Sequence, residues 1–311
     1  MKGMFRRITS ILLLAVVLTA TGYFSYHAYG AYQQTRRKEQ QALEQKKAAW
    51  RSLKRYISRQ TASYKGRAGI VIKDLETGWV YTCQSERLFP SASMVKIPIM
   101  AAVFQAVHDG KISLDQMVTM TSRDQVSGSG ILKTMPLGSR YSVRKLMRLM
   151  ITRSDNTAAN MLISLVGRNY INSYFKRIGL KNTNLSRKMM DFSQRRKGVE
   201  NYTTARDVSL LLEKMYKGSF INAKVSRQCL ALLKLQKVKD RIPRQLPKEV
   251  VVAHKTGLER SVCHDAGIVF TEKGDFLICI LTKSKGAFRT SKEFIARIAS
   301  YTYNTYKMKG S

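Results

Sequence analysis

Ser93-Met94-Val95-Lys96-Ile97-Pro98-Ile99-Met100-Ala101-Ala102-Val103 is the stretch of this 311-residue chain on which its reading turns. The apolar run from Ile97 to Val107 predicts a buried helix, and Ser93 and Lys96, three positions apart, fall on one face of it within mutual reach. A serine hydroxyl is a poor nucleophile at neutral pH and needs an adjacent base, which a lysine supplies only as the neutral amine. Bringing a lysine from about 10.4 to about 7.4 costs about 4 kcal/mol, which desolvation or a neighbouring cation has to provide. Pro98 removes one backbone hydrogen bond, a tolerable loss in a first turn. The helix N-terminus places a positive dipole end and free N–H groups beside the serine, where an oxyanion would form.

Two more short motifs follow in order, Ser154-Asp155-Asn156 and Lys255-Thr256-Gly257. Each is weak alone; S-x-x-K, S-D-N and K-T-G in this order together point to one serine active site, with Lys255 as the cation that would depress Lys96. Around them, Ala68 to Asp74 and Trp79 to Cys83 read as a hairpin joined by Glu76-Thr77-Gly78. A helical block comes next. Ser142 caps a helix through Thr152, Gly167 and Gly179 end two more, and Thr203 caps another to Tyr216. Val250 to Lys255, Ala266 to Phe270 and Phe276 to Thr282 read as strands, the last two joined at Lys273-Gly274-Asp275. A final helix capped by Ser291 presents Phe294, Ile295, Ile298 and Tyr301 on one face. Strands from both ends of the chain with helices between them make an α+β domain.

With Phe89-Pro90 before the serine and the run Ser154 to Asn160 (SDNTAAN), the chain resembles the class A β-lactamase group of penicillin-recognising serine hydrolases over about Leu53 to Tyr306. The resemblance implies a β-lactamase/transpeptidase-like fold: a five-stranded antiparallel sheet with flanking helices plus an all-helical subdomain, here spanning 63–308. It implies Ser93 as acylated nucleophile, Lys96 as proton acceptor, and Ser154 as relay to the leaving nitrogen. Asn156 would hold the substrate amide, Lys255 and Thr256 the substrate carboxylate, and the N–H groups of Ser93 and Leu258, the latter following Gly257, an oxyanion hole. The chain departs from the group in one place. Where its β-lactamases carry E-x-x-L-N, whose Glu activates the deacylating water, this sequence has Met189-Met190-Asp191-Phe192-Ser193. A thioether accepts no proton, so efficient hydrolysis requires another carboxylate, Asp191 or Glu200; otherwise Asp191 pairs with Arg187 to stiffen the loop. Gly128-Ser129-Gly130-Ile131-Leu132 resembles the group's loop at the cleft mouth or is an ordinary turn.

The remaining features bound the setting. Lys2, Arg6 and Arg7 precede an uncharged apolar run from Ile8 to Phe24, so 1–32 reads as a retained single-pass membrane anchor or a signal segment cleaved near Ala28-Tyr29-Gly30, with the domain outside the cytoplasm. Residues 33–62, rich in Lys, Arg, Gln and Ala, read as a basic helical stalk whose last turns pack through Leu53, Tyr56 and Ile57. The charge is +35, from 55 Lys plus Arg against 20 Asp plus Glu, while 44% apolar content excludes disorder. No nucleic-acid-binding signature accompanies it, which leaves anionic wall polymers or lipid head groups as partners. Cys83, Cys229, Cys263 and Cys279 form no C-x-x-C and predict no disulfide; the four histidines lack metal-ligand spacing, and no cofactor is expected. His264-Asp265 reads as a structural pair at a strand edge, and His254 points away from Lys255 by strand alternation.

The expected function is an extracytoplasmic serine hydrolase that forms an acyl-enzyme with β-lactams or D-alanyl peptide-like wall amides. The alternatives are a slow β-lactamase using Asp191 and a non-catalytic wall-binding or β-lactam-sensing domain.

Overall fold

The chain's computed structural model describes residues 1–307; the expected domain end at 308 lies outside them. Two compact units are present, Met1–Leu53 and Lys54–Lys307. The first is carried by helix α1 (Lys2–Ser63), whose early apolar side chains, Ile8, Leu12 and Phe24 among them, are exposed. By length and composition this helix can cross a membrane.

In the second unit, β1 (Arg67–Asp74) is buried on both faces because it lies inside a sheet covered on two sides. With β2 (Val80–Cys83), β7 (Val252–Glu259), β8 (Val262–Val269) and β9 (Phe276–Lys283) it forms a five-stranded antiparallel sheet in the order β2-β1-β9-β8-β7. The first and last parts of the domain therefore share one sheet, as the strand pattern predicts. Two strands are longer than expected: β7 runs on through Thr256, Gly257 and Leu258, and β8 starts at Val262. The two-residue connection Arg260-Ser261 makes this possible, Ser261 taking φ 65 in the left-handed region that so tight a hairpin demands. Gly267 has a direct reason in the same pair, since a Cβ there would lie 2.3 Å from the Ala253 carbonyl.

Helix α2 (Lys96–His108) is apolar all round and its Ile97, Met100, Val103 and Phe104 are buried, so it is the axis of the helical half. Around it lie α3 (Val143–Thr152), α4 (Asn156–Val166), α5 (Arg168–Arg177), the short α6 (Phe192–Arg196), α7 (Ala205–Tyr216) and α8 (Ala223–Lys234). Ser142 accepts from the Lys145 N–H and Gly167 closes α4 at φ 85, as expected. At α7 the cap is Thr204 rather than Thr203, because Thr203 pairs with Phe89 between β3 (Phe89–Pro90) and β6 (Tyr202–Thr203). A further pair joins β4 (Met117–Thr119) to β5 (Arg140–Ser142). The final helix α9 (Phe288–Lys307) buries Phe294, Ile295 and Ile298 as predicted. Ser291 lies inside it rather than capping it, its hydroxyl 2.7 Å from Tyr64 Oη. Ile57 is buried and Tyr56 stacks on Tyr301 with ring centroids 3.7 Å apart.

Candidate active site

A 3-10 turn at Ala92–Val95 carries Ser93, and Lys96 opens α2 directly after it. The two residues thus lie on consecutive helical elements rather than one α-helix, and the expected proximity is kept: Lys96 Nζ is 3.2 Å from Ser93 Oγ. The turn is entered through Ala92 at φ 45, a left-handed conformation for a residue with a Cβ, of the kind that proteins retain at functional sites.

Ser154 precedes α4 at φ 54, also left-handed, and this turns its carbonyl and hydroxyl to the same amine. Lys96 Nζ lies 2.6 Å from the Ser154 carbonyl, 3.2 Å from Ser154 Oγ and 2.7 Å from Asn156 Oδ1. Asp155 caps α4 through the Ala158 N–H, and its second oxygen accepts from the Ile131 and Leu132 N–H groups at 2.7 and 2.9 Å. Asn156 joins in, donating its N–H to the Ser129 carbonyl and its amide to that of Ser127. The Gly128 to Leu132 segment is therefore fastened to the S-D-N turn, and Gly128 and Ser129 line the cleft. Gly130 is required for this approach: a Cβ there would sit 2.2 Å from the Asp155 carboxyl carbon.

From the sheet side, β7 brings Lys255 Nζ to 3.0 Å from Ser154 Oγ and 2.8 Å from the Thr256 carbonyl. Lys96 and Lys255 are each 0% exposed. Burial, and after it the charge of Lys255, push the Lys96 amine well below its usual range, against a smaller opposing effect of Asp155. Burial brings Lys255 down to about 7, with Asp265 opposing and the Arg241 guanidinium adding to the fall. Of the other predicted positions, Asn156 and Leu258 line the cleft with Ser93, whereas Thr256 and Gly257 lie within β7 and are not among its lining residues.

The cleft, of about 250 Å³, is walled on the far side by Met189, Met190, Phe192 and Glu200. Met189 is locked in place by Asn160, which accepts from its N–H at 2.8 Å and donates to its carbonyl at 3.2 Å. Asp191 is absent from the lining and caps α6 instead, accepting from the Gln194 N–H at 3.0 Å. Nor does it pair with Arg187. That guanidinium is held by Glu200 at 2.7 Å and Glu259 at 3.3 Å, because these carboxylates converge on its buried position from the loop and from the end of β7. Glu200 also accepts from the Asn201 N–H and faces Arg195, as does Glu259, so both carboxylates that line the cleft are already committed.

His254 turns away from Lys255 as alternation predicts and bonds Asp265, Nδ1 to Oδ1 2.9 Å. His264 bonds the Pro90 carbonyl through Nε2 at 2.9 Å and is held down to about 4 chiefly by burial, hence neutral at pH 7. Both partners of the His264-Asp265 pair are structural, inside an interior strand rather than at an edge. Sequence reading missed Arg241, buried against Cys263 Sγ at 3.1 Å, and the clamp function of Asn160. Nothing local marks Arg241; Asn160 was detectable as the residue one helical turn after Asn156. Among the described residues no group of His, Cys, Asp and Glu could hold a metal ion.

A model of the β-lactamase enzyme family matches residues 51–306. The chain belongs to this family. It is 25% identical over 242 residues to the β-lactamase VEB-1 of Pseudomonas aeruginosa, covering 71% of this chain and 79% of that protein. Among solved structures it is similar to a β-lactamase from Sphaerobacter thermophilus, at TM-score 0.76 and 29% identity over 83% of this chain and 97% of that one. It is equally similar to PBP-A, at TM-score 0.77 and 27% identity over 82% and 96%. A mutant of PBP-A has been solved as its acyl-enzyme complex with penicillin G and superposes on this chain at TM-score 0.74, with 27% identity over 84% of this chain and 97% of that one. The fold is β-lactamase/transpeptidase-like, and the protein is a serine hydrolase of the β-lactamase type.

Proposed function

We propose that Ser93 attacks the carbonyl of a β-lactam, or of a D-alanyl peptide-like amide of the cell wall, and keeps the acyl group for long periods. The observation that carries this reading is the pattern of contacts at Lys96. Its two shortest are to the Ser154 carbonyl and Asn156 Oδ1, which only accept, and its two longest, both 3.2 Å, are to the hydroxyls of Ser93 and Ser154. A neutral amine has two N–H groups for the first pair and a lone pair for a hydroxyl proton. Ser93 Oγ then forms the bond to the carbonyl carbon while its proton passes to Lys96 Nζ. The oxyanion is held by the N–H groups of Ser93 and Leu258. The C–N bond breaks as the proton reaches the nitrogen through Ser154, whose hydroxyl bridges Lys96 and Lys255, and the positive charge of Lys255 attracts the substrate carboxylate.

Release of the acyl group needs a water and a base, and the cleft around Ser93 offers thioethers and two carboxylates, Glu200 and Glu259, that are already paired with arginines. The acyl-enzyme therefore outlives that of a β-lactamase with a free carboxylate. The apolar start of α1, preceded by Lys2, Arg6 and Arg7, supports a domain tethered outside the cytoplasm. Incubation of the full chain with penicillin G, followed by intact mass, is expected to give an adduct that persists and is absent from Ser93→Ala. Rapid return to free protein with hydrolysed penicillin would refute the long-lived acyl-enzyme; absence of any adduct would refute acylation by β-lactams.

A further inference from the structure

A second, larger concavity of about 1260 Å³ adjoins the cleft and shares Leu258 and Glu259 with it. Its charged lining is Lys65, Arg67, Arg260, Lys283 and Lys285, against Glu259 alone. All five cations are exposed, and none forms an ion pair among the described residues, while Glu259 is taken up by Arg195 at 2.6 Å and Arg187 at 3.3 Å. A five-cation groove without a free carboxylate repels itself, and a fold retains such an arrangement most cheaply when an anion occupies it.

The cations come from three segments remote in sequence, and one residue stitches these together. The Ser284 N–H donates to the Ser261 carbonyl at 2.8 Å, its hydroxyl donates to the Lys65 carbonyl at 2.8 Å, and it accepts from the Gly286 N–H at 3.1 Å. Gly66 permits the close approach, since a Cβ there would lie 2.7 Å from the Lys283 carbonyl. The positive lining is thus a built trough with fixed walls, several times the volume of the catalytic cleft and bordering it at Leu258 and Glu259. A concave set of five cations on three segments suits a flexible chain of negative charges, which can enter it, better than a flat membrane surface, which cannot.

We propose that this trough docks a linear phosphodiester polyanion found outside the cytoplasm, of the poly(alditol phosphate) type, and leads it past Leu258 to Ser93. The inference rests on the extracytoplasmic reading above and gives the hydrolase a wall-polymer address that small β-lactams do not use.

The test measures binding of labelled poly(glycerol phosphate) to the detergent-solubilised full chain across a salt series. Wild type is expected to bind, with affinity falling steeply as salt rises. The triple variant Lys65→Glu, Arg260→Glu, Lys285→Glu is expected to bind about tenfold or more weakly, with a shallower salt slope. A control with the same charge change outside the trough, Lys181→Glu, Lys224→Glu, Arg227→Glu, is expected to bind within about twofold of wild type; thermal melting shows that both variants are folded. Equal losses in the two variants, no binding by wild type, or trough-dependent binding of phosphatidylglycerol vesicles or single-stranded DNA at least as tight as that of the polymer each overturn the proposal. The acylation reading is scored separately. A chain that holds the polymer but never takes up penicillin upholds the trough and refutes the acyl-enzyme, and one that takes up penicillin but ignores the polymer does the reverse.

Discussion

Met189→Glu is expected to turn a lasting acyl-enzyme into one that is hydrolysed. Met189 faces the cleft that holds Ser93, and its backbone is clamped in both directions by Asn160, at 2.8 and 3.2 Å, so a new side chain there starts from a position the substitution leaves intact. A positioned general base contributes about 10²- to 10⁴-fold to a proton-transfer step, which is about 3–5 kcal/mol off the deacylation barrier. Met189 is only 7% exposed, and partial burial raises a carboxyl toward the working pH, which favours its action as a base. The assay is the decay of the penicillin adduct by intact mass after excess drug is removed, with release of hydrolysed penicillin followed in parallel. A lifetime at least about a hundredfold shorter is expected, with formation of the adduct little changed. A folded variant whose adduct lasts within about threefold of wild type would refute the argument that a missing base on this wall limits turnover.

The pH dependence of acylation should be bell-shaped. Lys96 must be neutral to accept the proton, so the rate falls on the acid side as it protonates. Lys255, at about 7, loses its attraction for the substrate carboxylate as pH rises through that region. In Lys255→Arg the guanidinium cannot deprotonate, so the alkaline limb should vanish while the acid limb stays, and a retained alkaline limb would show that another group titrates there. Glu200→Gln leaves the buried Arg187 with Glu259 alone. Since removing the whole partnership of a buried charge costs roughly 3–5 kcal/mol, a loss of about 2 kcal/mol is expected, or about 4–8 °C in melting temperature, and an unchanged melting curve would deny the pair a structural role.

Much of the scaffold could be read from local pattern. The Ser142 cap, the Gly167 stop and the apolar, β-rich strand segments each depend on residues within a few positions of one another, and each is present in the fold. Boundaries failed where a distant partner intervened: Thr203 lost the α7 cap to its pairing with Phe89, and Ser291 was drawn to Tyr64. Asp191 shows the same limit at the site. Its sequence position could not reveal that Glu200 and Glu259 occupy Arg187, nor that its own oxygen closes α6.

By itself the amino-acid sequence determined which reactive groups this protein owns, the order in which its elements carry them, and that Met189 stands where the resembled β-lactamases carry a glutamate, because motifs, caps and hydrophobic periodicity are short-range properties. The tertiary structure alone decided that two lysines remote in sequence meet, both fully buried, at one hydroxyl. It decided too that three remote basic segments close into a single trough. Depressed basicity comes from desolvation and proximity, and neither exists until the chain has packed.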